Sequence, residues 1–294
     1  MDNTYFVLRK MGGDDIHISK FHICTWDISS KEQYLEIGLE ISNIDKKKRI
    51  GSLYIVAPWV KKDHTVISLH KELADEENAS FIFNDGVKNI ENPEKDFDNW
   101  KTIEFCSGRK IDIIDTTIEV ADQIITIRPN EHVNSNTPQY IRLFIPLSRT
   151  TIAKPKRGIS QKNKIYDIKV NEKRNLDEKT CAIIQEKKLD YCKIESAYFL
   201  HVIPAKSEMV FSSNYSIKLR CLENSSFIKY LGKHASIKKK DYFITFNKLK
   251  GNDSYSSFCE FREEIIGTTQ IIIAILVNIL CSIIWAVLGI FGVV

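Results

Sequence analysis

The chain has 294 residues, 43% hydrophobic and 27% charged, with a net charge of +4 at pH 7. That balance is globular and excludes a disordered chain, and so small a net charge gives no reason to expect a nucleic-acid partner. Seven cysteines (Cys24, Cys106, Cys181, Cys192, Cys221, Cys259, Cys281) are odd in number and lack CxxC spacing, which fits free thiols in a reducing compartment.

The first 25 residues carry Arg9, Lys10, Asp14, Asp15 and Lys20 and hold no apolar stretch of about 7–15 residues. No secretory signal peptide is expected, and the N-terminal bulk is expected in the cytoplasm. Gly12-Gly13-Asp14-Asp15 predicts a hairpin turn between two strands. Tyr34–Ser42 alternates, with Leu35, Ile37, Leu39 and Ile41 on one face and Glu36, Gly38 and Glu40 on the other. Lys46–Arg49 predicts a charged hairpin tip before the strand at Leu53, and His70–Asn78 predicts a short surface helix.

Lys110–Ile114, Gln123–Arg128, Ser216–Cys221 and Asp241–Phe246 also read as strands. Three apolar runs end in proline, at Pro58, Pro146 and Pro204. Proline has no amide donor, so these predict strand ends or edge strands. Asn175–Lys188 predicts a helix capped by Asn175 with Glu178 three residues on. The fold expected is mainly β and sandwich-like with minor helix, followed by a single C-terminal transmembrane helix.

Charge divides the soluble part into an acidic segment, residues 1–150, and a basic one, residues 151–264, with a boundary where Ala153–Gly158 reads as a connection. The basic residues Lys154, Lys156 and Arg157, with Lys238, Lys239 and Lys240 nearer the membrane, are the candidate site for an anionic partner, in particular a phosphorylated ligand. A solvated linker is the plainer expectation. Sequons at Asn78, Asn214, Asn224 and Asn252 read as chance matches in a cytosolic chain.

No phosphate loop, nucleophile elbow, zincin motif or dinucleotide fingerprint is present. His22 and Cys24 share one face of a strand, but two ligands make no zinc site. No catalytic residue, cofactor or metal is expected from sequence. A Cys–His pair that meets only in the fold stays open.

From Ile265 to Val294 the chain carries no charged residue, and residues 265–294 form the expected membrane span. Lys248, Lys250 and Arg262 precede it, which orients the bulk to the cytoplasm. A glycolipid-anchor signal would require secretion and is not expected. At 100° per residue, Gly267, Ala274, Asn278, Cys281, Ser282, Trp285 and Gly289 fall on one face of the helix. Small residues allow close helix approach and a buried Asn can bond across an interface, so Gly267, Ala274, Asn278, Ser282, Trp285 and Gly289 are the expected helix–helix surface.

The leading expectation is a tail-anchored, single-pass membrane protein. Its cytosolic β domain binds a partner or ligand, and its helix self-associates in the bilayer. Bacterial antiviral membrane effectors resemble this layout of soluble sensor plus apolar segment, a likeness of architecture that no motif carries. The alternatives are a membrane-tethered hydrolase or nuclease with dispersed active-site residues, and an adaptor with an inert anchor.

Overall fold

The computed structural model describes residues 3–13, 16–29, 32–43, 51–92, 100–130, 137–147, 152–157, 161–213, 217–222, 224–235, 241–264 and 268–290. In chain order the strands are β1 (Asn3–Lys10), β2 (Ile16–Asp27), β3 (Gln33–Asn43), β4 (Leu53–Val56), β5 (Ile67–Ser68), β6 (Val87–Glu91), β7 (Trp100–Phe105), β8 (Lys110–Ile114), β9 (Thr116–Ala121) and β10 (Ile124–Pro129). They continue with β11 (Gln139–Pro146), β12 (Lys154–Arg157), β13 (Gln161–Val170), β14 (Leu189–Tyr191), β15 (Lys193–Ile194), β16 (Ser196–Pro204), β17 (Ser207–Ser212), β18 (Lys218–Cys221), β19 (Tyr242–Lys250) and β20 (Tyr255–Glu264). The helices are α1 (His70–Leu73), α2 (Glu76–Phe83), α3 (Glu178–Glu186), α4 (Asn224–Leu231) and α5 (Thr268–Ile290).

The strands form two sheets. The smaller runs β17-β20-β13-β1-β4-β10-β9, and the larger runs β18-β19-β16-β2-β3-β11-β8-β7-β6. Period-two alternation decides what each strand buries. On β3, Leu35, Ile37, Leu39 and Ile41 enter the core between the sheets, where they meet Tyr5 and Val7 of β1 and Ile55 of β4. Each such side chain contributes about 1.5–3 kcal/mol by burial. A one-residue slip would turn all four out of this core and drive Glu36 and Glu40 into it, so the register is fixed by the core.

A second core on the outer face of the larger sheet joins Trp26, Tyr140 and Phe144 to Leu73, Ala79, Phe227 and Tyr230 of α1, α2 and α4. A third joins Phe6 and Leu8 of β1 to Leu189, with Ile183 and Ile184 of α3 packed against it. The layers are therefore helix, sheet, sheet, helix. The expected β-rich sandwich with a C-terminal helix is what the chain forms.

Several local expectations are corrected. β1 and β2 lie in different sheets, so Gly12 and Gly13 turn the chain from one layer to the other and close no hairpin. Gly12 has φ +70, a conformation that suits glycine. β3 and β4 likewise lie in different sheets, and Lys46–Arg49 between them fall outside the described residues. Of the two readings of the proline-ended runs, the strand end holds and the edge strand does not: β4, β11 and β16 are interior strands that stop at or just before the proline. His70–Asn78 is part of two helices, α1 and α2, which cover core. The N-cap of α3 is Asp177, whose side chain accepts from the Thr180 amide at 2.8 Å; Asn175 lies in the preceding short turn. Ala153–Gly158 is no bare connection either, because residues 154–157 are β12, paired with β13.

Both sheets draw strands from either side of residue 150. β1 runs parallel to β13 and β2 parallel to β16, so the acidic and basic segments share the central core. β20 ends at Glu264, and α5 begins at Thr268.

Candidate ligand-binding cavity

The helices cover the outer face of the larger sheet incompletely, and a cavity of about 630 Å³ remains. The pleat builds its floor strand by strand. β2 presents Lys20, His22 and Cys24, β11 presents Tyr140 and Arg142, β16 presents Tyr198, and β19 presents Phe246. Gly38 of β3 is in register with both His22 and Arg142. A Cβ there would lie 2.4 Å from the Tyr140 hydroxyl, so glycine makes room for that phenol.

The walls come from elsewhere in the chain. Phe81, Phe83 and Asn84 close one side, at the end of α2. The helix stops there because Asn84 takes φ 52, a left-handed cap that asparagine tolerates. Phe227 of α4 meets Phe81 edge-on at 4.3 Å. Arg109, beside β8, and Lys218 and Arg220, on edge strand β18, complete the lining.

Under the floor, Glu36 is buried and accepts three hydrogen bonds. It accepts from Trp26 Nε1 at 2.7 Å, from the Tyr230 hydroxyl at 3.2 Å and from Arg142 Nε. Arg142 Nη1 donates to the Tyr140 hydroxyl at 3.2 Å. Glu40 pairs with Lys20 at 2.8 Å and with Arg109. Among the described residues, five cationic side chains (Lys20, Arg109, Arg142, Lys218, Arg220) thus line the cavity with one carboxylate, Glu40. Burial, then the charges of Arg142, Lys20, Arg109 and Lys248, holds the His22 imidazole well below its ordinary value.

No protein-family model and no curated protein matches this chain. The cavity's chemistry is therefore that of its side chains. His22, Cys24 and Glu40 do meet in one cavity. Burial first, and then Glu36, pushes the Cys24 thiol well above its ordinary value. A protonated thiol beside a neutral imidazole is the reverse of an activated thiolate–imidazolium pair. Among the described residues no group of three or more His, Cys, Asp or Glu side chains converges on a metal position. What the lining offers is aromatic surface and positive charge.

The basic residues singled out from sequence lie elsewhere. Lys154 and Lys156 are exposed on β12, and Lys154 faces Asp167 at 4.0 Å. Arg157 ends the same strand. Neither lysine lines the cavity. Lys238, Lys239, Lys240 and Gly267 fall outside the described residues. Ala274, Asn278, Ser282, Trp285 and Gly289 all lie on α5. Ser282 Oγ donates to the Asn278 carbonyl at 2.9 Å, so its hydroxyl is already satisfied within the helix. Sequence reasoning missed Arg109, Arg142 and Lys218. The available signal was the Glu36-Gly38-Glu40 face of β3, whose carboxylates are 1% and 6% exposed and so need buried cations opposite them.

Proposed function

We propose that this chain is a single-pass membrane protein whose β-rich domain binds a small ligand in the cavity of its larger sheet and whose helix α5 self-associates in the bilayer. The observation that carries the reading is the state of α5. Its Ile271–Leu288 window has a mean hydropathy of 2.9, and none of it is buried against the sandwich. A run of Ile, Leu and Val left open to water would drive aggregation, whereas a bilayer covers it at no such cost. The 23 residues of α5 reach about 34 Å at 1.5 Å each, enough to cross a hydrocarbon core.

Lys250 and Arg262 lie before the helix, within the reach over which basic residues set orientation, which favours a cytoplasmic sandwich. In this reading the cavity is the sensor and α5 the output. Ligand binding gathers the helices, and the face bearing Asn278, Ser282 and Gly289 joins them. A membrane effector of this kind needs no catalytic residue.

The test is membrane partition. The full chain is expected to pellet with membranes through carbonate extraction and to float with vesicles, and a chain lacking residues 265–294 is expected in the supernatant. A full-length chain released by carbonate contradicts the anchor.

A further inference from the structure

We infer that the sandwich stands on the bilayer through the end of the smaller sheet where β20 runs out, and that the lysines there contact anionic lipid headgroups. This rests on the reading above that α5 spans the membrane with the sandwich on the cytoplasmic side.

The first support is the length of the tether. β20 ends at Glu264 and α5 begins at Thr268. Four residue steps reach at most about 14 Å. The end of β20 is therefore held close to the start of the span. β20 is ten residues long, so at about 3.3 Å per residue its other end can stand about 30 Å farther off.

The second support is what the ladder sets beside that end. β13 is antiparallel to β20, with Gln161 opposite Glu264 and Lys162 opposite Glu263. β12 in turn brings Arg157 beside Lys162 and Lys156 beside Asn163. On the other flank Ser207 of β17 is opposite Glu263, which places Lys206 just past that row. Four strand ends thus share one edge, about 14 Å wide at the usual spacing. It carries five basic residues, Lys156, Arg157, Lys162, Lys206 and Arg262, against three acidic ones, Glu208, Glu263 and Glu264. Glu263 is already paired with Lys206 and has Lys164 at 3.9 Å. Lys156 and Lys206 are exposed. A lysine carries its charge on a flexible stem, so it can reach a headgroup phosphate without moving its strand.

Magnitude decides what so small an excess can do. A basic residue within a Debye length of an anionic leaflet, about 8 Å, shifts an equilibrium about fivefold. Two excess charges then give a bias of about 25-fold. That is too little to recruit a free domain, but it is enough to choose among the poses of one already tethered. Held at both points, copies gathered in one leaflet present the same side to one another.

The experiment is acylation of the full chain by a membrane-impermeant amine reagent, with each lysine read by mass spectrometry. The chain is compared in detergent micelles, in phosphatidylcholine vesicles and in vesicles that also contain phosphatidylserine, diluted so that most vesicles carry a single chain. Lys187 and Lys188 are the reference. Both are exposed and lie beyond the far end of β1, which runs parallel to β13; the Met11 amide donates to the Lys188 carbonyl there at 2.9 Å. Relative to them, Lys156 and Lys206 are expected to react about fivefold more slowly in phosphatidylserine vesicles than in micelles. High salt, or omission of phosphatidylserine, should restore most of the rate. Inorganic phosphate added to the micelles should not slow it. The double substitution Lys154→Glu with Lys156→Glu, both exposed, should free Lys206 to react in phosphatidylserine vesicles and leave the thermal midpoint at the wild-type value. The inference is overturned if relative rates in phosphatidylserine vesicles match those in micelles, or if phosphatidylcholine alone or free phosphate protects as well. It is overturned equally if charge reversal on β12 leaves Lys206 protected. Flotation of the same vesicles reports the anchor separately. Chains that fail to float contradict α5 as a span, whereas floating chains with freely reacting lysines contradict the headgroup contact alone.

Discussion

Arg142 reaches Glu36 diagonally across the β3–β11 ladder, because Arg142 is in register with Gly38 and Glu36 with Phe144. The two side chains are 9% and 1% exposed. Trp26 donates to the other carboxylate oxygen, and Tyr230 shares with Arg142 the one they both reach. The pair thereby ties β2, β3, β11 and α4 together beneath the cavity.

Removing one member of such a pair strands the other. Glu36→Gln is expected to cost about 3–5 kcal/mol, because Arg142 keeps its charge in a buried site. The double substitution Glu36→Leu with Arg142→Met should cost less than Glu36→Gln alone. Urea denaturation of the three proteins checks this, and a double variant less stable than the single one contradicts it.

Gly38→Ala places a methyl group against the Tyr140 hydroxyl. Overpacking of this kind costs about 1–3 kcal/mol and shifts the phenol. Tyr140 lines the cavity, so ligand affinity should fall together with stability. Alanine at an exposed strand position such as Lys156 would change neither. Paired melting and binding measurements on the variant read both effects.

Acid should weaken the sandwich before its carboxylates titrate. His201 is buried between the sheets, with Thr25 Oγ1 2.8 Å from its Nδ1 and the Tyr166 ring 4.7 Å away. Behind that ring, Asp27 accepts from the Tyr166 hydroxyl and pairs with Lys164. Burial lowers His201 to about 3. Between that value and about 6.5 the unfolded chain binds a proton that the folded chain excludes. Stability is therefore full above about pH 6.5 and falls with decreasing pH by up to about 1.4 kcal/mol per unit. His22, also lowered by burial, adds to the same slope. Urea midpoints at pH 7, 6 and 5 should decline in the wild type and decline less in His201→Phe. Equal slopes would remove His201 as the cause.

The α5 face is tested by helix association. Asn278→Leu with Gly289→Ile should lower energy transfer between labelled full chains in vesicles, while Ile273→Leu with Ile283→Leu should leave it unchanged. A membrane hydrogen bond is worth only about 0.6 kcal/mol on average, so the bulky residue at Gly289 is needed to make the loss measurable. Identical transfer for all three proteins would leave α5 as a passive anchor.

The sandwich was readable because a strand's two faces are written in alternate residues, and Leu35, Ile37, Leu39 and Ile41 name their core directly. α5 was readable from length and apolarity alone. Pairing was not. The turns after β1 and β3 look like hairpin connections locally, but which sheet receives the next strand is decided by core contacts more than a hundred residues away. The cavity was hidden for a related reason. Lys20, Arg109, Arg142 and Lys218 have no spacing that marks them, and only the larger sheet sets them around one space. The basic run at Lys154–Arg157 stands out by density, and its two lysines are exposed on β12, away from the cavity.

Parallel pairing of β1 with β13 has a cost in time. β1 can zip to β4 early, but its other edge waits for residues 161–170, and β2 waits in the same way for β16. At translation rates of about 5–20 residues per second, that wait is roughly ten to thirty seconds. Through it the nascent chain carries two apolar strand edges, the arrangement most prone to pairing with another copy. Yield of this protein should therefore depend more on how slowly and how sparsely it is synthesised than on the stability of the finished fold.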